Sequence, residues 1–200
     1  MKDLLHKNVG LIQVGVFFLV LTACGSDSNT DPPLEDVIPE VEDNGPELPN
    51  GPSAAYLVIS ETQTPSCKSQ SPGADIDAAR LYADPTQSQL LATLSGCKWL
   101  KETNACAENK FNNPKLAQGN KDANVMGGFV SLNGGSIICQ WSVNVEMRHG
   151  NLLSVLETGS EVDLESFDVQ ACTDAAAMDC GPIVQIKKYM QTVPAGSLLP

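Results

Sequence analysis

The chain is short of the residues from which enzymes build reactive sites. Two histidines occur in 200 residues, His6 and His149, and His149 falls in the turn-like run Arg148-His149-Gly150-Asn151. A Ser-His-Asp set beyond the N-terminal stretch would have to use that one imidazole. No Gly-x-Ser-x-Gly, phosphate loop, His-Glu-x-x-His or dinucleotide fingerprint is present. The seven cysteines contain no Cys-x-x-Cys, which makes zinc the weaker rival for them. Aromatic residues amount to only 5%. Lys and Arg number 12 against 24 Asp and Glu, a formal charge of -12. A chain this acidic repels phosphates, which excludes non-specific nucleic-acid binding and attraction to an anionic bilayer surface. No stretch combines helical spacing with good caps, so long helices are not expected.

At the N-terminus, Lys2 and Lys7 precede an apolar run over Val9–Thr22, shorter than the roughly 20 residues of a spanning helix. It closes on Leu21-Thr22-Ala23-Cys24. That tetrad resembles the lipobox of bacterial lipoproteins. The resemblance implies that residues 1–23 are a cleaved signal peptide and that Cys24 carries a diacylglycerol and becomes the mature N-terminus. Several acyl chains anchor a protein firmly where one does not. Gly25-Ser26, in place of an inner-membrane retention Asp, points within this resemblance to the outer membrane or cell surface. An uncleaved single-pass anchor is the alternative.

Residues 24–53 read as a linker. Gly25–Ser53 holds eight acidic residues, six prolines and no Lys or Arg. Proline removes backbone donors and like charges repel, so the segment is expected to be extended and disordered. At about 3.1 Å per residue it reaches on the order of 80–90 Å, a stalk. An acidic cation-binding tail is the other reading.

The domain is expected over 54–200, and every element in it reads as a strand. Ala55–Ser60 is apolar and partly β-branched, and Asp75–Tyr82 follows the Pro72-Gly73 turn. Leu90–Leu94 reads as a short strand or helical turn, and Cys97–Asp122 as a long irregular region. Ile137, Cys139, Trp141, Val143, Val145 and Met147 alternate with mostly polar partners, the period of one strand with a core face. Leu152–Leu156 is a further strand. In Glu161–Ala171 the apolar parity switches, so a bulge near Ser166 is expected. Ile183–Met190 reads as a closing strand and Thr192–Pro200 as a tail. The fold class is therefore all-β, an antiparallel two-sheet sandwich.

With Cys24 set aside, six cysteines remain, an even number that in an exported chain reads as three disulfides. Proximity favours Cys97–Cys106 and Cys172–Cys180 and leaves Cys67–Cys139. Cys139 sits on the core face of its strand, so its partner is expected from a neighbouring element.

Three pieces, Gly73-Ala74-Asp75-Ile76-Asp77-Ala78, then Asn113-Pro114 through Phe129-Val130-Ser131-Leu132-Asn133-Gly134-Gly135-Ser136-Ile137, and Gly150-Asn151-Leu152-Leu153-Ser154-Val155-Leu156-Glu157-Thr158-Gly159, resemble a family of galactose-binding-like, discoidin-like domains of bacterial surface proteins. The resemblance implies a jelly roll over roughly Ala54–Met190. Asn133 stands where that family usually has glycine. Domains of this fold often hold a structural calcium, which makes Asp75 and Asp77 candidate ligands, since calcium takes carboxylate and carbonyl oxygens; no other cofactor is expected. Trp99, Lys98 and Lys101, inside the Lys- and Asn-rich region 97–122, are the candidate ligand-binding residues: a ring to stack on a sugar, and donors beside it. The expectation is a non-catalytic, membrane-anchored domain binding a glycan or envelope protein. A glycan hydrolase with paired carboxylates and a purely structural lipoprotein are the alternatives.

Overall fold

A computed structural model describes residues 51–120, 127–158, 165–187 and 190–200. The apolar N-terminal run, the Cys24 tetrad and the linker as far as residue 50 lie outside them, as do Lys121 and the Glu161–Leu164 half of the phase-shifted segment. No helix among the described residues is long and apolar enough to cross a membrane.

The strands are β1 (Ser53–Ala54), β2 (Tyr56–Glu61), β3 (Asp75–Tyr82), β4 (Leu90–Lys101), β5 (Val130–Ser131), β6 (Ser136–Trp141), β7 (Met147–Arg148), β8 (Leu152–Glu157), β9 (Phe167–Cys172), β10 (Val184–Ile186) and β11 (Met190–Pro194). The main ladder runs β10-β9-β2-β6-β4-β3-β8-β11, β5 joins β3, and every pairing is antiparallel. β4 belongs to both halves. Its first residues pair with β3 (Thr93 opposite Arg80) and its last with β6 (Trp99 opposite Ile137). The ladder thus folds over on itself into two facing sheets, the sandwich expected from the alternation. β1 pairs with β7 in a separate two-stranded ribbon.

The core lies between the sheets. Leu57 and Ile59 of β2, Ile137, Cys139 and Trp141 of β6, and Phe167, Val169 and Ala171 of β9 face Ile76, Ala79 and Leu81 of β3 and Leu153 and Val155 of β8. The parity at Phe167, Val169 and Ala171 is the one that the sequence shows. A second, small cluster of Val58, Ile138 and Cys172 sits on the outer face under the Cys172–Cys180 loop.

Several expectations need correction. β4 extends to Lys101, so the first part of the region expected to be irregular is strand, and Lys98, Trp99 and Lys101 are strand residues. Its register shifts between Ser95 and Lys98 at Gly96, whose φ is +54°. That bulge breaks the alternation that would have revealed the strand. The run from Ile137 to Met147 is not one strand. β6 ends at Trp141, where the Ser142 N–H turns to the Thr93 carbonyl, and Val143 points into solvent. The expected closing strand holds β10 and only the first residue of β11, and most of β11 falls in the expected tail. Beyond it, Leu198 and Leu199 are buried against Gly181.

The disulfides are Cys67–Cys106, Cys97–Cys139 and Cys172–Cys180. All six cysteines pair, but only Cys172–Cys180 has the expected partner. The bulge at Gly96 brings Cys97 level with Cys139 on the adjacent strand, with Cα atoms 4.1 Å apart. Cys106 then joins Cys67 in the loop before β3. Ladder pairing overrode nearness in sequence, although Cys139 does take its partner from a neighbouring element.

Candidate functional site

The sandwich has two ends. At the near end the chain enters through Gly51–Ala54, and the loops 83–89 and 142–151 gather. The far end carries the loops 62–74 and 102–113, the Asn133-Gly134-Gly135 turn and the start of the segment 165–166.

The expected ligand residues lie toward the far end. Lys98 and Lys101 are exposed on the outer side of β4. Trp99 is half-buried and committed to the fold. Its ring packs beside Gly135, and its indole N–H donates to the Asn112 carbonyl at 3.1 Å. Its indole donor is thus taken up within the fold. Asn133, in the position where glycine is usual for the resembled domains, has φ +47°, which Asn tolerates better than most residues. Its side chain accepts from the Cys106 N–H at 2.9 Å and donates to the Cys106 carbonyl at 3.1 Å. A glycine there could not make these two bonds, which fix the disulfide-bearing loop to the turn.

The candidate calcium residues sit in a carboxyl-rich environment that the sequence did not reveal. Glu61 closes β2, Asp75 opens β3, Glu157 closes β8, and Glu165 approaches from its own segment. Glu61 Oε2 accepts from the Ala74 N–H at 2.6 Å. The Ser71 and Ser131 hydroxyls lie close to Asp75 and partly offset its burial, as do the backbone amides of Glu165 and Asp75 for Glu157; the Ser131 hydroxyl itself donates to the Pro72 carbonyl at 2.7 Å. Glu157 is 2% exposed, and one oxygen each of Glu157 and Asp75 is buried without a hydrogen-bond partner. Burial, reinforced by the neighbouring carboxylates, pushes Asp75 and Glu157 up to about 8. Burial also raises Glu61. Asp77 is buried at the register shift between β3 and β8. Among the described residues, no three His, Cys, Asp or Glu side chains are placed to hold a metal ion together. Calcium wants six to eight oxygens around one point, and Asp75 and Asp77 do not supply such a cage with their described neighbours.

The near end holds a groove of about 550 Å³. Pro52, Ala83, Leu91 and Val145 give it apolar walls, and Arg148 and Asn151 are among its polar groups. A concave, mostly apolar surface with a few placed polar groups is the usual form of a binding site. Its polar side chains are positioned by the fold. Ser53 Oγ donates to Glu146 at 2.8 Å, and Arg148 Nη2 lies 3.4 Å from the same carboxylate. Asn151 Oδ1 accepts from the Arg148 N–H at 2.8 Å and holds the turn that carries His149. A shallower depression of about 300 Å³, lined by Tyr56, Gln140 and Asn144 among others, adjoins it through the shared Asn144 and Val145. Of these residues, Arg148, His149, Gly150 and Asn151 were legible in the sequence as one turn and Val145 as part of the alternating run. The others come from segments that meet only in the fold. None of Asp75, Asp77 or Trp99 lines either cavity.

Fold and surface together define a disulfide-stapled antiparallel β-sandwich with a groove at the end where the chain enters. Comparison with protein-family models, with curated proteins and with solved structures finds no match.

Proposed function

We propose that this chain is a lipid-anchored envelope or cell-surface lipoprotein whose sandwich, of galactose-binding-like type, binds a partner protein without catalysis, and that the near-end groove is its site. The groove carries the reading: it is concave and largely apolar, yet has Arg148 and Asn151 to orient what enters. Apolar walls favour a protein side chain over a sugar, because the one ring expected to stack on sugar, Trp99, is used in packing. The buried carboxyls of the far end line neither of the cavities described at the near end. The resemblance of Leu21-Thr22-Ala23-Cys24 to a lipobox supports attachment through Cys24.

The test is cross-linking of the full chain in its native envelope, with a glycan array run in parallel, for wild type and Arg148→Glu. Arg148 is exposed, so the variant should fold. A cross-linked protein identified with wild type and lost with Arg148→Glu supports the reading. A sugar bound equally by both proteins, with no protein adduct, overturns it. Fatty-acid labelling that persists in Cys24→Ser would overturn the anchoring.

A further inference from the structure

Arg80 is a cation without a counter-charge. The chain has two arginines, and Arg148 pairs with Glu146 at 3.4 Å. Arg80 forms no ion pair among the described residues, and its Nε–H is buried without a hydrogen-bond partner. Leaving a buried donor of a charged group unmatched is costly. In a chain with 24 Asp and Glu, its isolation is not for want of carboxylates.

The surroundings of Arg80 follow from strand parity. Ala79 and Leu81 face the core, as do Ala92 and Leu94 of β4 and Leu153 and Val155 of β8. Val193 does the same on β11. The residues between them face outward. Arg80 stands opposite Thr93 on one side and Ser154 on the other, and Ser154 stands opposite Thr192. One rung across four strands therefore reads Thr-Arg-Ser-Thr, a guanidinium with a hydroxyl on either side. Side chains opposite each other in an antiparallel pair are close enough to share a small ligand. The β3–β8 rungs above and below are apolar, with Ala78 beside Leu156 and Tyr82 beside Leu152. Thr93 and Ser154 are buried, which fixes their hydroxyls in place. Arg80 keeps part of its surface in solvent, and Thr192 on the edge strand is exposed.

We propose that this rung is an oxyanion site, at which Arg80 takes a carboxylate or phosphate group side-on through Nε and one Nη, with the Thr93 and Ser154 hydroxyls as further donors. A guanidinium presents parallel N–H donors that match the two oxygens of either group. The Nε–H that lacks a partner is one of the two donors a side-on pair uses. A hydroxyl adds a donor without adding charge. The site lies on the outer face of the β4–β3–β8–β11 sheet. None of its four residues lines the near-end groove, so it stands apart from the function proposed for that groove.

The test is nitrogen-15 spectroscopy at pH 6 on the full chain carrying Cys24→Ser, where two arginines give two Nε–H signals. Sodium acetate and inorganic phosphate are titrated separately, with ionic strength held constant by sodium chloride. The Arg80 signal should move saturably with at least one of them while the Arg148 signal stays still. Saturation by acetate alone assigns a carboxylate, by phosphate alone a phosphate, and by both the chemistry they share. Arg80→Lys keeps the charge but loses the fork, and should weaken binding about tenfold or more, followed at the Ser154 amide. Ser154→Ala removes one donor and should weaken it about threefold to tenfold. If Arg80→Lys does not fold, Ser154→Ala decides in its place. An Arg80 signal unmoved by either anion, two signals that drift alike without saturating, or an affinity unchanged in the variants overturns the site.

Discussion

At the scale of residues, the far-end carboxyls have the sharpest consequence. In an unfolded chain Asp75 and Glu157 would titrate near 4. Burial holds them at about 8 in the fold. Between those values the folded protein keeps protons that the unfolded chain has released, so stability must fall as pH rises from about 4 to about 8, and then level. Thermal melts at pH 5 and pH 8 should show a lower Tm at pH 8. Asp75→Asn or Glu157→Gln should flatten that fall and raise the Tm at pH 8. A Tm that rises with pH over this range would contradict the burial that Glu157 shows. None of this was legible in the sequence. Asp75 stood out there, but Glu61 lies on the preceding strand and Glu157 and Glu165 lie far along the chain, and only the ladder brings them near. Asn133 was noticed as an oddity at a glycine position. Its bonds to Cys106 could not be foreseen without knowing where the loop carrying Cys106 returns.

At the scale of elements, strands with intact alternation were legible. β3 occupies Asp75–Tyr82 as its flanking turn signals indicated, and the first half of the Ile137–Met147 pattern is β6. Alternation failed where the backbone departs from it, at Gly96 in β4 and after Trp141, because a bulge moves every later side chain to the other face. The C-terminal segment was missed for another reason. Thr192–Pro200 reads as a tail, yet Leu198 and Leu199 pass directly over Gly181, whose hydrogens leave room for their backbone. A methyl group at Gly181 would collide with the backbone of Leu198 and Leu199. Gly181→Ala should therefore lift the C-terminal segment from the core and cost about 2–4 kcal/mol in urea unfolding, comparable to exposing a buried leucine. A loss below 1 kcal/mol would mean that this contact relaxes freely.

Over the whole molecule, cysteine pairing decides how much the fold depends on oxidation. Local pairing of Cys97 with Cys106 would close a short loop worth roughly 2.5 kcal/mol. The two pairs found instead span 39 and 42 residues, for which the chain-entropy model gives about 4 kcal/mol each. Typical domains are stable by only 5–15 kcal/mol, so these two bridges rival the total. Cys97→Ser with Cys139→Ser should lower unfolding free energy by about 3–4 kcal/mol and leave the spectrum of a β protein at 20 °C. Reduction of all three bridges should unfold the domain at moderate temperature. Persistence of the native melting transition after full reduction would refute this dependence. Such a protein suits a compartment where thiols are oxidised, in keeping with the export that the N-terminal resemblance implies.

The two-residue pairing of β1 with β7 has a mechanical meaning. A pull transmitted along the chain from its N-terminal side meets Ser53–Ala54 first. That ribbon is short and can open one rung after another, giving slack at little force. The pull then reaches β2, which lies between β6 and β9 and is bonded along both edges from Tyr56 to Ser60. A pull directed along the β2 axis would have to shear those rungs together rather than part them in turn. The domain would therefore meet such traction with a soft give followed by a firm stop, a clutch at the N-terminal entry of the sandwich.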